Sequence, residues 1–463
     1  MKERPLTAKL KDNKGVVLVW ALILSVMMIA LGTAYLKFFN DFSNTVDLDI
    51  MRVQANYSAQ LALVDAYLYS RMNHPGTEYG LQGIGFFGNN SYGYTIYPSG
   101  GSQGIFSWEH YKIVANGYSR DPGTGYVWDE AISYSFRYET MADYLWLTHR
   151  EVDRVNFDSI YFWSPDTLDG KTHSNGTIFI HPTRNMPVFY KPVSTCMRDT
   201  YPPRNSTNAR FYGGFRANAP PIRFPDQADS VRIAAMGTPY TIGDANPDSM
   251  YYIRLYSDSL MWKGKPRSDT PFDTLWNQSH VRRMKLPTNG AVFVRGKLYI
   301  DAPRRIGDAS YRGVKGRVTV GCSDTMVIFH DIYLACADTF GRVPPSCLYA
   351  VGLISEKWVL FSKYSGYPVY PNPRQFRVNA GIAALRGSMS VQGIYNYSVS
   401  EYTSLFIHGC INQQYRGIIH RGSEGYGYGF VQKDYMYDQR FSVAPPPHWI
   451  PSGNISTVYE ELE

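Results

Sequence analysis

Two stretches of this chain place carboxylates beside a base. Asp166 and Asp169 come just before His173, and Asp434 and Asp438 just before Arg440. Paired carboxylates can divide acid and base work or share a Ca²⁺ ion. Both stretches also have a plainer reading. Asp169-Gly170 and Asn175-Gly176 are turn dipeptides in their own right, and His173 reads first as a hydrogen-bonded structural residue. No P-loop, nucleophile motif or His-Glu-x-x-His zinc helix occurs. Gly83-Ile84-Gly85-Phe86-Phe87-Gly88 spells a dinucleotide-binding string, but no strand precedes it and no βαβ unit surrounds it, so a loop is expected there. Five cysteines stand at 196, 322, 336, 347 and 410. The odd count leaves one without an intramolecular partner, and Cys322, Cys336 and Cys347 form the pool for a disulfide. Without a Cys-x-x-Cys pair, a zinc ribbon is not expected. Near the C-terminus, Tyr426 and Tyr428 alternate with glycines, and Tyr435 and Tyr437 follow. Such an aromatic surface could stack on sugar rings or a partner protein. It could also close the open end of a β stack, which is the preferred reading. The chain is expected to be neither an enzyme nor a holder of any cofactor or metal.

Composition narrows the class. The 463 residues are 18% charged and 15% aromatic, with 38 Tyr, 40 Gly and 28 Pro. That is a turn-rich β protein with room for two or three domains, not a disordered or coiled-coil chain. The net charge of +7 is mild. No Lys/Arg cluster suits the tracking of phosphates, so no nucleic-acid partner is expected.

The elements that would position these residues begin at the N-terminus. Val16 to Leu36 holds no charge, and 21 residues at ~1.5 Å each span about the ~30 Å core of a bilayer. In front lie Lys2, Arg4, Lys9, Lys11 and Lys14 against Glu3 and Asp12, so the positive-inside rule keeps Met1 cytoplasmic. Removing that leader would leave +4. Behind, Val53, Tyr57, Leu61, Val64, Leu68 and Met72 recur at helical spacing. Ala55, Ala59, Ala62 and Ala66 line a second, small-residue face, suited to close packing by another helix. One long helix over 16–72 is expected, membrane-embedded over 16–36, loosened around Asn40–Asp49 and stopped by Asn73-His74-Pro75-Gly76.

Basic leader, glycine, apolar segment and amphipathic continuation together resemble a type IV prepilin, of the kind of the PilX-type minor pilins and pseudopilins. The resemblance implies cleavage after Gly15 by a prepilin peptidase, with Val16 as the methylated N-terminus. Its other partners would be pilin subunits met through the helix. In that family the fifth mature residue is usually Glu, which offsets a neighbour's buried ammonium; here it is Trp20. A subunit lacking that Glu packs poorly into a shaft and suits a tip, where no subunit lies above it. The alternatives are a cleaved signal peptide, with Gly32-Thr33-Ala34 or Ala30-Leu31-Gly32 as its site, and an uncleaved anchor.

Past the helix, Tyr92–Tyr97, Tyr111–Ser119 and Val127–Tyr138 read as antiparallel strands of a head over 80–150, with Asp121-Pro122-Gly123-Thr124-Gly125 as a hairpin loop. The Val53–Met72 stripe would be the partner of that sheet. From Asp166 to Ile178 the pattern Asp-Gly-x-x-His-x-Asn-Gly resembles a motif of an uncharacterised family of large bacterial pilin-like proteins. Asn289–Leu298, Gly316–Val320, Val378–Leu385 and Lys433–Arg440 resemble the same family, which brings no activity with it. The expected layout is a first β segment over 159–195, Pro-rich loops over 196–290, a solenoid over 291–440 and a tail over 441–463. The solenoid rests on Gly296, Gly321, Gly352, Gly381 and Gly409, spaced by 25, 31, 29 and 28 residues, a period that fits coils of a parallel β-helix. An irregular β-sandwich competes with it. The fold class is thus α+β: a pilin-like helix, a small antiparallel sheet and a mostly β, solenoid-like extension.

The function expected is that of a filament subunit of a type IV pilus or type II secretion-like system, in the bacterial inner membrane with its bulk periplasmic. The extension would serve adhesion to a surface glycan or protein. The alternative is a membrane-tethered envelope protein that binds or cleaves polysaccharide.

Overall fold

The computed structural model describes residues 13–72, 81–98, 110–164, 166–184, 186–244, 249–266, 281–302, 313–362, 375–396, 401–423 and 426–457. The leader up to residue 12 and the Asn73–Gly76 stop lie outside them. The chain divides into two compact units near residue 137.

The first unit is built on helix α1, Asn13–Met72. It runs without a break through 40–49, so the loosening expected there is absent. Val16–Leu36 is exposed throughout, and α1 is the one described helix long and apolar enough to cross a membrane. It is consistent with an anchor or signal segment ahead of a large extramembranous region. Strands β1 (Leu81–Phe87), β2 (Asn90–Pro98), β3 (His110–Arg120) and β4 (Val127–Thr140) form an antiparallel meander.

The two faces of α1 exchange the roles expected of them. Ala55, Ala59, Ala62 and Ala66 are fully buried, while Val53, Tyr57, Leu61, Val64 and Leu68 are 43–65% exposed. The reason is the closeness of the sheet. A Cβ on Gly117 of β3 would lie 2.0 Å from the Ala55 carbonyl oxygen and 2.2 Å from the Ala59 nitrogen. Backbones this near admit only small side chains, so the large ones turn outward. Gly117→Val should therefore cost about 3 kcal/mol or more by overpacking. Gly93→Ala, whose nearest neighbour would be 3.6 Å away, should cost under about 1 kcal/mol. Thermal unfolding of the two variants checks this.

Of the glycine string, residues 83–87 belong to strand β1 rather than to a loop, and Gly88 turns the chain into β2 with φ +57°. Gly83 and Gly85 sit opposite Tyr94 and Tyr92, whose rings occupy the space a Cβ would need, 2.2 Å from it. Glycine here makes room for tyrosine across the ladder.

The second unit corrects the fold expected for the extension. It is a mixed α+β region with two curled half-barrels, and the parallel β-helix solenoid does not describe it. One ladder stacks Ala291–Val294, Arg317–Cys322, Ala350–Ser355, Gly381–Ala384 and the end of Glu401–Tyr415 in parallel. A solenoid needs its next rung from later in the chain. The next rung here comes from earlier: Trp146–Arg150, then Thr172–Ser174, Val193–Thr195 and Phe215–Arg216. The second ladder breaks chain order in the same way, since Tyr426–Tyr437 is followed by Thr167–Asp169 and Val188–Phe189. It also holds antiparallel hairpins, Ser249–Leu255 with Ser259–Pro266 and His420–Ser423 with Tyr426–Tyr437. The Pro-rich segment expected to be loops supplies the first of these hairpins and helix α2, Asp229–Ala235.

The glycine period also has a local cause. Gly352 and Gly381 leave room for the indole of Trp449, which a Cβ would approach within 2.8–2.9 Å. A Cβ on Gly409 would meet the Ala380 carbonyl at 1.9 Å, and Gly296 has φ +145°. Separate packing demands, rather than one coil repeated, set the spacing. Trp449 is itself buried with Phe441 and Leu147 in a core cluster of its own. The larger core joins the interiors of the ladders, with Phe361, Phe376 and Phe430 meeting edge to face at 5.3–5.5 Å. That geometry suits the ring quadrupoles. Strand Tyr426–Tyr437 lies between two parallel neighbours. Tyr435 is thus on an inner rung, whereas Tyr426 and Tyr428 lie in the antiparallel hairpin with His420–Ser423. Cys336 and Cys347 form a disulfide, and Cys196, Cys322 and Cys410 are free.

Candidate functional site

The place where early and late strands meet is a cleft of about 630 Å³ in the second unit. Its floor follows from register. Tyr415 pairs with Arg150, so the next residues, Arg416 and Glu151, leave adjoining strands together. Their side chains are 7% and 0% exposed, and Arg416 Nη1 donates to Glu151 Oε2 at 3.1 Å. Arg416 also donates to the carbonyls of Ile160 and Tyr161. Its guanidinium lies 3.7 Å from the centre of the Phe162 ring and 5.2 Å from that of Trp146. Glu151 accepts from Trp146 Nε1 and Thr148 Oγ1. A buried ion pair with its remaining valences filled in this way is held in one geometry.

One wall is Trp163, with Arg184 at 5.0 Å and Lys433 at 5.4 Å over its ring. Asp166 braces this wall, accepting from the Trp163 amide at 3.2 Å and pairing with Lys433 at 3.4 Å. His181 lines the cleft beside them. Its Nδ1 accepts from the amides of Thr183 and Arg184, which leaves Nε2–H as a donor. Tyr435 packs under Trp146 at 5.5 Å, and burial pushes its phenol upward, so it stays protonated.

The carboxylate pairs read from the sequence come apart. Asp166 is in the cleft, whereas Asp169 is exposed. Asp434 is exposed while Asp438 is buried, accepting from Arg440, whose Nη1 reaches the carbonyls of Cys347 and Tyr349. That is a structural clip. No group of three or more His, Cys, Asp or Glu able to hold a metal occurs among the described residues.

His173 belongs to a second network. Its Nδ1 lies 2.8 Å from Ser194 Oγ and its Nε2 2.9 Å from Asn175 Oδ1. Asn175 Oδ1 also accepts from the Ile222 amide, and Nδ2 donates to the Ile222 carbonyl at 2.6 Å. With Oδ1 accepting, His173 carries its proton on Nε2 and takes the Ser194 hydroxyl proton at Nδ1. Cys196 Sγ stands 3.6 Å from the same oxygen. The order Ser194–His173–Asn175 is that of a nucleophile, base and orienting group. Its surroundings oppose that use. Burial lowers the basicity of His173 and raises the Cys196 thiol, and Asn175 is committed to the backbone it clamps. Of the tyrosines singled out, Tyr428 is half-buried, and the side chain of Tyr426 lies outside the described residues.

Trp163, Arg184, Arg416 and Glu151 were not legible as a site. They form no motif, and Glu151 and Arg416 meet across more than half the chain. The one signal available was the aromatic-rich run Tyr161-Phe162-Trp163, in front of Asp166. Comparison of the chain with protein-family models, curated proteins and solved structures returns no match.

Proposed function

We propose that this chain is a membrane-inserted structural and interaction subunit of prepilin type, which assembles through α1 and uses its second unit to engage a ligand. The observation that carries the reading is the division of α1. Its stretch Val16–Leu36 offers exposed apolar residues on every side, as lipid or neighbouring helices require. Its second half is held by the alanine face, which leaves Val53, Tyr57, Leu61, Val64 and Leu68 outward. An apolar stripe that continues from a spanning segment is the surface through which such helices associate.

The test is the N-terminus of the protein recovered from membranes, read by intact mass and terminal sequencing. The wild-type chain should begin at Val16, and Gly15→Glu should retain residues 1–15. A wild-type start near Thr33 or Tyr35, or an intact Met1, would overturn the proposal.

A further inference from the structure

We infer that a different cleft of the second unit binds a neutral saccharide. It lies between the loop closed by the Cys336–Cys347 disulfide and the outer face of the second ladder. This goes beyond the subunit role and holds whether or not the leader is cleaved. Register builds the floor. Side chains alternate across a strand, and Phe376, Leu405 and Tyr435 belong to the core. Arg377, Phe406 and Asp434 therefore leave the opposite face of three adjoining strands in one row, with Ser404 and Gln432 paired beside them. The disulfide-closed loop brings Phe340 and Arg342 to the same cleft. Its volume, about 370 Å³, falls within the range of small-ligand sites.

The groups left open to a ligand decide its class. Phe340 is 69% exposed and Phe406 is half-buried, and no described cation lies over either ring. The C–H face of a pyranose packs on such a surface. Arg377 is already engaged, since its Nη2 donates to Gln375 Oε1 at 3.3 Å. Arg342 and Asp434 are exposed, and no described side chain engages the charged end of either. These two are of opposite sign, so the cleft suits a ligand without net charge that both accepts and donates hydrogen bonds. Arg342 donates, Asp434 accepts from neighbouring hydroxyls, and Gln432 and Ser404 do either. A hydroxylated ring with one apolar face meets all of these demands. An extended peptide does not, because Glu401–Tyr415 is paired on both sides here and offers no edge to which a strand can add. The loop is also held in place. Asp338 Oδ1 accepts from the amides of Phe340 and Arg342 at 2.9 and 2.8 Å. The Gly341 carbonyl accepts from Asn379 Nδ2, and the Val343 amide donates to His408 Nδ1 at 2.9 Å. Binding then costs little ordering of the protein.

The experiment uses the full chain in a detergent without a sugar headgroup. It is titrated by calorimetry with cellotriose, maltotriose and triacetylchitotriose, and with trigalacturonate as an acidic counterpart. At least one neutral sugar should bind with a Kd of about 1 mM or tighter, and trigalacturonate should bind no more tightly than that sugar. Phe340→Ala and Asp434→Asn, both at exposed positions, should each weaken binding by about tenfold. Arg223→Gln, at a separate cleft, should leave it unchanged. No binding of any neutral sugar at about 10 mM, or tighter binding of trigalacturonate, would overturn the assignment without recourse to any variant. So would undiminished binding by the Phe340→Ala/Asp434→Asn double variant, or a loss with Arg223→Gln. None of these outcomes depends on where the mature chain begins, so the two proposals stand or fall separately.

Discussion

Arg416→Ala should destabilise the second unit by about 3–5 kcal/mol, because it leaves the Glu151 side chain without its cation in a fully enclosed position. The Glu151 side chain is 0% exposed, and its remaining partners, Trp146 Nε1 and Thr148 Oγ1, are neutral. The loss has a second source. The guanidinium donates to two backbone carbonyls and lies over Phe162, and an alanine leaves those oxygens without that donor and that ring without its cover. Glu151→Ala should cost a similar amount by the converse argument. If the cost arises from unbalanced charge, the double variant Glu151→Leu/Arg416→Met should recover a large part of it, since a buried pair replaced by apolar groups of similar volume is often neutral. Urea unfolding followed by tryptophan fluorescence measures all four proteins. Single variants within about 1 kcal/mol of wild type would place the pair in the class of solvent-screened surface bridges and remove the argument that it stiffens the cleft.

What could be read in advance divides along the range of the interactions involved. The helix and the strands of the meander were legible because each repeats within its own segment: an uncharged run, a three-to-four-residue stripe, strict alternation in Ile132, Tyr134, Phe136 and Tyr138. Which face of α1 would be buried was not legible. Hydrophobicity ranks the leucine and valine face first, and only the approach of Gly117 on another strand reverses the order. The half-barrels were mistaken for a solenoid for a related reason. Parallel rungs with glycines at similar intervals are present locally, but the insertion of Trp146–Arg150 beside Glu401–Tyr415 is a contact more than 250 residues long and has no local signature. The cleft arises at that junction, so it went unseen with it. His173 was visible because Asp-Gly-x-x-His-x-Asn-Gly is a contiguous string. The clip it supports, Asn175 on the Ile222 backbone, depends on a segment 47 residues away from Asn175.

The other large effect expected is one of pH. Burial pushes the Asp331 carboxyl up to about 7, with the nearby Asp301 adding to the rise, while the Arg377 amide, which donates to Oδ1 at 2.8 Å, and the Arg377 charge oppose it. His330 also faces this carboxylate at 3.8 Å, but its Nδ1 accepts from the Asp331 amide and so does not donate to it. In the unfolded chain the same carboxyl titrates near 3.9. Between those values the native protein keeps a proton that the unfolded chain has released. The contribution of Asp331 to stability is therefore fully present below about pH 4, falls as pH rises toward 7, and is flat above. Asp331→Asn keeps an acceptor for the Arg377 amide and removes the titration. The variant should then be more stable than wild type at pH 8, by ~2–4 kcal/mol for a shift of this size, and should lose that advantage toward pH 4. Urea midpoints of both proteins at pH 4.5, about 6 and about 8 decide the matter, because groups common to the two cancel in the difference. A difference that does not change with pH would mean that Asp331 is ionised in the folded protein throughout, held so by Arg377. Its burial among Asp301 and His330 would then be an ion-pair network and not a stored proton.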